Sequence, residues 1–167
     1  MKNTRKHVIS VMVENRPGVL ARVSGLFARR GYNINSLAVS ATENPEVSRM
    51  TVTTSGDDAE LQQIVKQLNK LIDVIQVHDH THDDLVAREI ALFKIRANVA
   101  NRMEIMQLAA MFSAQIISIT PKDATLIVEI TGDEERIDAF QETLSKFDVL
   151  EMVRTGTIAL VRGATAT

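Results

Sequence analysis

The segment Glu14-Asn15-Arg16-Pro17-Gly18-Val19-Leu20 has the residue types to hold a small zwitterion. Asn15 offers an amide donor and a carbonyl acceptor, matching a carboxylate and an ammonium group. Gly18 leaves bare backbone at the start of an apolar-periodic run, where helix N–H groups and the helix dipole attract an anion. Pro17 suits a first helical position, because its missing N–H would be unpaired there anyway. A plainer reading stands beside this one: Asn15 caps the helix and Gly18 relieves a tight turn. His78, His80 and His82 alternate, so an extended chain would bring three imidazoles to one side, a spacing able to hold zinc or nickel. A solvated linker accounts for the same run, and no metal site is assigned. Asp83, Asp84 and Glu89 are loose cation candidates. Ser24, Ser36 and Ser40 have no His–Asp arrangement to activate them, and no catalytic residue is assigned.

The elements that must position these residues repeat. His7 to Glu14 is a strand-length β-branched run; Val19, Leu20, Val23, Leu26 and Phe27 then recur at helical spacing, and Gly31 follows as a left-handed C-cap. Residues 33–42 and 47–54 read as strands around an Asn44-Pro45 turn, which puts Asn33 as a second polar candidate near the same end of the sheet as Asn15. Gly56-Asp57-Asp58 opens a second helix with carboxylates at its positive end, and residues 73–78 close the unit. The same order returns from Glu89, with a hairpin through Pro121-Lys122-Asp123 and a second Gly-acid helix start at Gly132. Leu26 and Leu108 lie 82 residues apart, as do Ile34 and Ile116. Two tandem β-α-β-β-α-β modules predict an α+β protein of two ferredoxin-like domains. Their expected bounds are 1–80 and 89–167, with 81–88 as linker and 157–161 as an extra strand-like tail. Unpaired sheet edges predict a homodimer. At the spacing of 82, Asn15, Pro17 and Gly18 become Ala97, Val99 and Ala100, so the fold itself does not require this corner.

Composition narrows the function. The 167 residues are 45% apolar but only 4% aromatic, and 19 Lys+Arg nearly balance 21 Asp+Glu. Neither base-stacking platforms nor a phosphate-neutralising surface is available, so nucleic acid is not expected as a partner. Without cysteine there is no disulfide or thiolate chemistry. No stretch approaches 18 apolar residues, which predicts a cytoplasmic protein with no membrane contact.

ENRPGVLARVSGLFARRGYNINSLAV, followed by SRMTV, REIALFKI and QIISITP, closely resembles the small regulatory subunits of acetolactate synthase, whose first module is an ACT domain. The resemblance implies a chain that makes no product itself and carries no cofactor. Its partner would be the catalytic subunit of branched-chain amino-acid biosynthesis, which holds thiamine diphosphate, a divalent metal and flavin. The small subunit raises that activity and confers feedback inhibition by valine. By the same resemblance, effector contacts fall on Asn15, Gly18, Val19 and Leu20 of one protomer. Asn33 and Ile34 come from the facing protomer of an ACT dimer. The alternative is a stand-alone tandem ACT-domain sensor of amino acids.

Overall fold

The computed structural model describes residues 5–164 and 166–167. The chain runs β1 (Arg5–Glu14), α1 (Val19–Arg30), β2 (Ile34–Ala41), β3 (Val47–Gly56), α2 (Asp58–Leu68) and β4 (Val74–Asp79). It repeats as β5 (Leu85–Arg96), α3 (Arg102–Met111), β6 (Gln115–Thr120), β7 (Thr125–Gly132), α4 (Glu134–Thr143) and β8 (Val149–Arg154), then adds β9 (Ile158–Val161). The strands order β2-β3-β1-β4 in the first sheet and β6-β7-β5-β8 in the second. All these neighbours are antiparallel. This is the ferredoxin-like order read from the sequence, present twice. No helix among the described residues is long and apolar enough to cross a membrane.

Alternation builds each core. Ile9, Val11 and Val13 of β1 pack with Met50 and Val52 of β3 under Val23, Phe27, Ile64 and Leu68 of the helices. In the second copy Phe93 and Ile95 meet Ile105, Ile137 and Phe140, with the Phe93 and Phe140 rings edge to face at 5.4 Å. Every second residue of each strand therefore faces away from the helices. Helix ends follow the local chemistry. Asp57 and Glu60 form a capping box on α2, Asp133 accepts from the Arg136 N–H on α4, and Gly31 closes α1 at φ 71°.

Three details differ from the sequence expectation. Helix α1 begins at Val19, with Gly18 as its N-cap at φ 86°, so Pro17 lies in the preceding turn and not at the first helical position. Strand β5 starts at Leu85, inside the stretch read as linker. The tail from Gly156 to Thr167 groups with the first compact unit, which otherwise runs to Val86; the second spans Ala87–Thr155. Within the first unit the tail crosses β2 so closely that a Cβ on Gly156 would stand 2.8 Å from the Leu37 carbonyl carbon and oxygen. Thr157 and Ala159 are buried there.

Candidate functional site

The Asn15 corner is held by the β2–β3 loop. The Asn15 main-chain N–H donates to Glu46 O and its side-chain Nδ2 to Pro45 O, both at 2.8 Å. Asn15 therefore does not cap α1, which has no side-chain cap and no acidic residue in its first turn. Its amide oxygen has no partner among the described residues. Gly18 does serve the turn, since φ 86° is left-handed backbone that disfavours a side chain. A Cβ there would lie 3.4 Å from Arg22 Nη1. Arg22 donates from Nε to the buried Asp73 at 2.6 Å, which fixes a guanidinium beside the helix start. Val19 N–H turns back to Arg16 O at 3.4 Å, so the dipole, the N–H groups of Leu20 and Ala21 and the fixed cation add in one direction, favouring an anion. Leu20 is exposed, but Val19 is buried in the core, so its contribution to the corner is main chain.

Asn33 and Ile34 lie elsewhere. Glu14 pairs with Val47 at one end of β3, whereas Ile34 pairs with Thr54 towards the other. The seven steps along β3 from Val47 to Thr54 span about 24 Å. Asn33 is thus at the opposite end of the sheet from Asn15, not the same end, because β1 and β2 are both antiparallel to β3 and so run parallel to each other. One chain does not bring the six candidates together.

The corresponding corner of the second copy is filled. Asn98, at the position of Arg16, accepts from the N–H groups of Ala100 and Asn101 at 2.9 and 3.1 Å. At Arg16 no side-chain oxygen stands in that place, and Val19 N–H turns to the Arg16 main-chain oxygen at 3.4 Å instead.

A second polar group sits on the helix-free face of the first sheet. His78 Nε2 and His80 Nδ1 each lie 2.8 Å from the same oxygen, Asp83 Oδ2. His80 Nε2 lies 2.7 Å from Ser10 Oγ, which also accepts from Arg49 Nη2 at 3.0 Å. Arg49 further donates to Thr167 O, Thr167 Oγ1 and Ala159 O, tying the tail to the sheet. Burial holds the His80 pKa below its ordinary value despite the bond to Asp83, and the bonds from His80 and His78 hold the Asp83 carboxyl down. His82 is exposed and takes no part. The chain stops being extended after β4: the Thr81 N–H and hydroxyl both donate to Asp79, and Asp83 N–H closes a turn on His80 O. The three imidazoles therefore do not share a side. Of the other acids, Asp84 pairs with Arg162 and the buried Glu89 with Arg154.

Ser10, His80 and Asp83 form a Ser–His–Asp chain that sequence reasoning missed, since Ser10 stands 70 residues from its partner. Its signal was the pairing of Ser10 with His78 in the sheet register, invisible before strand order is known. Ser10 is buried and its oxygen receives the Arg49 guanidinium, so the chain anchors the sheet and presents no nucleophile.

Comparisons with known proteins agree with this architecture. Residues 9–76 match the family model described as "AHAS small subunit-like ACT domain", and residues 88–163 match "Small subunit of acetolactate synthase". A probable acetolactate synthase small subunit of Archaeoglobus fulgidus is 47% identical over 95% of this chain and 98% of its own length. That of Mycolicibacterium smegmatis is 44% identical, over 96% and 93%. The crystal structure of the small subunit from Thermotoga maritima superposes with a TM-score of 0.88 at 39% identity, covering 96% of this chain and 99% of that one. A two-copy fold whose first copy is an ACT domain, matched end to end by these relatives, places the chain in the acetolactate synthase small-subunit family.

Proposed function

We propose that the chain is the regulatory subunit of acetolactate synthase: it binds the catalytic subunit, raises its activity and makes it sensitive to valine. The observation that carries the effector half is the uncapped, cation-flanked start of α1 beside Asn15, against the self-filled corner at Asn98. In this reading thiamine diphosphate, the divalent metal and flavin stay with the catalytic subunit, and this chain supplies no reacting group. Asn15, Gly18 and Leu20, with the main chain of Val19, receive the amino acid's carboxylate end. In this reading Asn33 and Ile34, far from the corner within one chain, come from a second copy, so valine binds only a paired arrangement and shifts the population towards it.

Reconstitution tests the reading. Adding the chain to an acetolactate synthase catalytic subunit raises acetolactate formation, and valine then lowers it. A chain that leaves both rate and valine sensitivity unchanged overturns the subunit role; valine stabilisation of such a chain would favour a stand-alone sensor. Mixed dimers test the shared site. Asn15→Ala and Asn33→Ala each abolish valine binding alone, but a mixed dimer of the two variants recovers one intact site. Absence of that recovery places the site within one chain.

A further inference from the structure

Among the described residues, His78, His80 and Asp83 are brought together at the end of β4 with one nitrogen or oxygen from each within 4.8 Å of the others. We propose that these three side chains form a divalent transition-metal site, with zinc as the best-matched ion, through His78 Nε2, His80 Nδ1 and the Asp83 carboxylate. This inference does not depend on the effector reading.

Two imidazole nitrogens converge on one carboxylate oxygen at equal distances of 2.8 Å. A cation entering between them needs only a small opening, since ligand atoms around tetrahedral zinc stand roughly 3.3 Å apart at bond lengths of about 2.0 Å. Two imidazoles and one carboxylate suit zinc, cobalt or nickel, whereas magnesium and calcium favour oxygen alone. His78 and Asp83 are part-exposed, which leaves water to complete the coordination.

The surrounding contacts support the ligands as a metal site requires. With Nδ1 bound to metal, His80 must carry its proton on Nε2, and that nitrogen lies 2.7 Å from Ser10 Oγ. Ser10 accepts there, held in turn by Arg49 Nη2, so tautomer and ring orientation are fixed from behind. The His80 main-chain N–H donates to Val8 O, and Asp83 N–H to His80 O, so the ligand-bearing turn is pinned to β1 before any ion arrives. A bound ion would lock the turn that leads into β5.

The test titrates the untagged full chain with zinc against a chelating indicator, and with cobalt for its visible absorption. One zinc per chain is expected, with cobalt bands of a four-coordinate nitrogen/oxygen site. His78→Ala and Asp83→Asn each weaken binding about ten-fold or more. Both side chains are part-exposed, so folding is retained and a thermal scan checks it; zinc raises the melting temperature only where the site is intact. His82→Ala leaves binding unchanged. Equal zinc affinity in wild type and in His78→Ala or Asp83→Asn overturns the site, as does a His82→Ala loss matching that of His78→Ala.

Discussion

The two modules take the same path and finish their first strands differently. After β1 the chain turns through Asn15, Pro17 and a left-handed Gly18, and no side chain covers the first N–H groups of α1. After β5 the chain turns through Asn98, whose side-chain oxygen takes the N–H groups of Ala100 and Asn101 in the turn before α3, while α3 itself has no side-chain cap either. The faces away from the helices differ as well. On the first sheet Ser10, Thr51 and Thr53 are buried, and Arg49 fastens the tail. On the second, Lys94 and Arg96 pair with Glu151 and Asp148 in exposed ion pairs. One scaffold thus carries a corner with no side-chain oxygen over its turn and another whose turn is closed by Asn98. Since a core forms beneath both, neither corner chemistry is required by the fold.

The largest expected effect tests the free corner directly. Valine at about 100 times its dissociation constant stabilises the chain by roughly 2.7 kcal/mol, seen as a rise in melting temperature. Gly18→Asp removes that rise, because its carboxylate stands beside Arg22 Nη1 where the ligand's carboxylate belongs. Aspartate is among the side chains best tolerated in left-handed backbone, so the variant folds. An undiminished valine response would end the assignment of Gly18. Next in size is Arg49→Ala, which breaks the bonds to Ser10, Ala159 and Thr167. Hydrogen bonds of a charged donor put the loss at about 2 kcal/mol, read as faster proteolysis of the tail. Lys94→Ala, on the exposed face of the second sheet, changes little; equal losses would erase the contrast between the faces.

Periodicity made most of this fold legible. The Val19-to-Phe27 stripe, the glycine-acid helix starts and the 82-residue correspondence each rest on local physics, and local physics survives in the structure. The places where reading failed depend on what lies across the sheet. Pro17 looked like a first helical residue because nothing in the sequence shows that Gly18 takes a positive φ. Spacing alone sets Asn33 near Asn15, whereas strand order decides which end of a sheet a residue occupies. Ser10 and Arg49 meet His80 only through register, and the tail's return to the first unit has no local signature except Gly156. The residue types at the corner were visible; the open state of α1 required knowing that Asn15 spends its amide on Pro45.

Asn98→Ala sharpens the comparison from the other side. It strips an oxygen from the N–H groups of Ala100 and Asn101 in the turn before α3 and costs about 1 kcal/mol, the usual net worth of a hydrogen bond. Arg16→Ala at the matching place stays within about 0.5 kcal/mol, since Arg16 caps nothing. Chemical denaturation of both variants measures the pair, and equal losses would mean that the Asn98 bonds do not set the second corner apart.

The smallest effect lies in the second module's ion pairs. Lys94 Nζ donates to Glu151 Oε2 at 2.5 Å, and this bond, then the ammonium charge, holds the Glu151 carboxyl below its ordinary value of 4.5. A carboxyl lowered in the fold binds fewer protons there than in the unfolded chain, so its stabilisation is present above that value and fades as pH falls through the folded pKa. Both side chains are exposed, so water and salt screen the pair. Glu151→Gln therefore leaves the melting temperature at pH 7 nearly unchanged, and it slightly flattens the decline of stability below pH 4.5. The carboxyl resonance of Glu151, followed by NMR, titrates below an ordinary glutamate in the wild type and returns towards it in Lys94→Ala. A large loss at neutral pH would show that this face is covered when the protein is assembled, since only a desolvated pair is worth more than its screened charge.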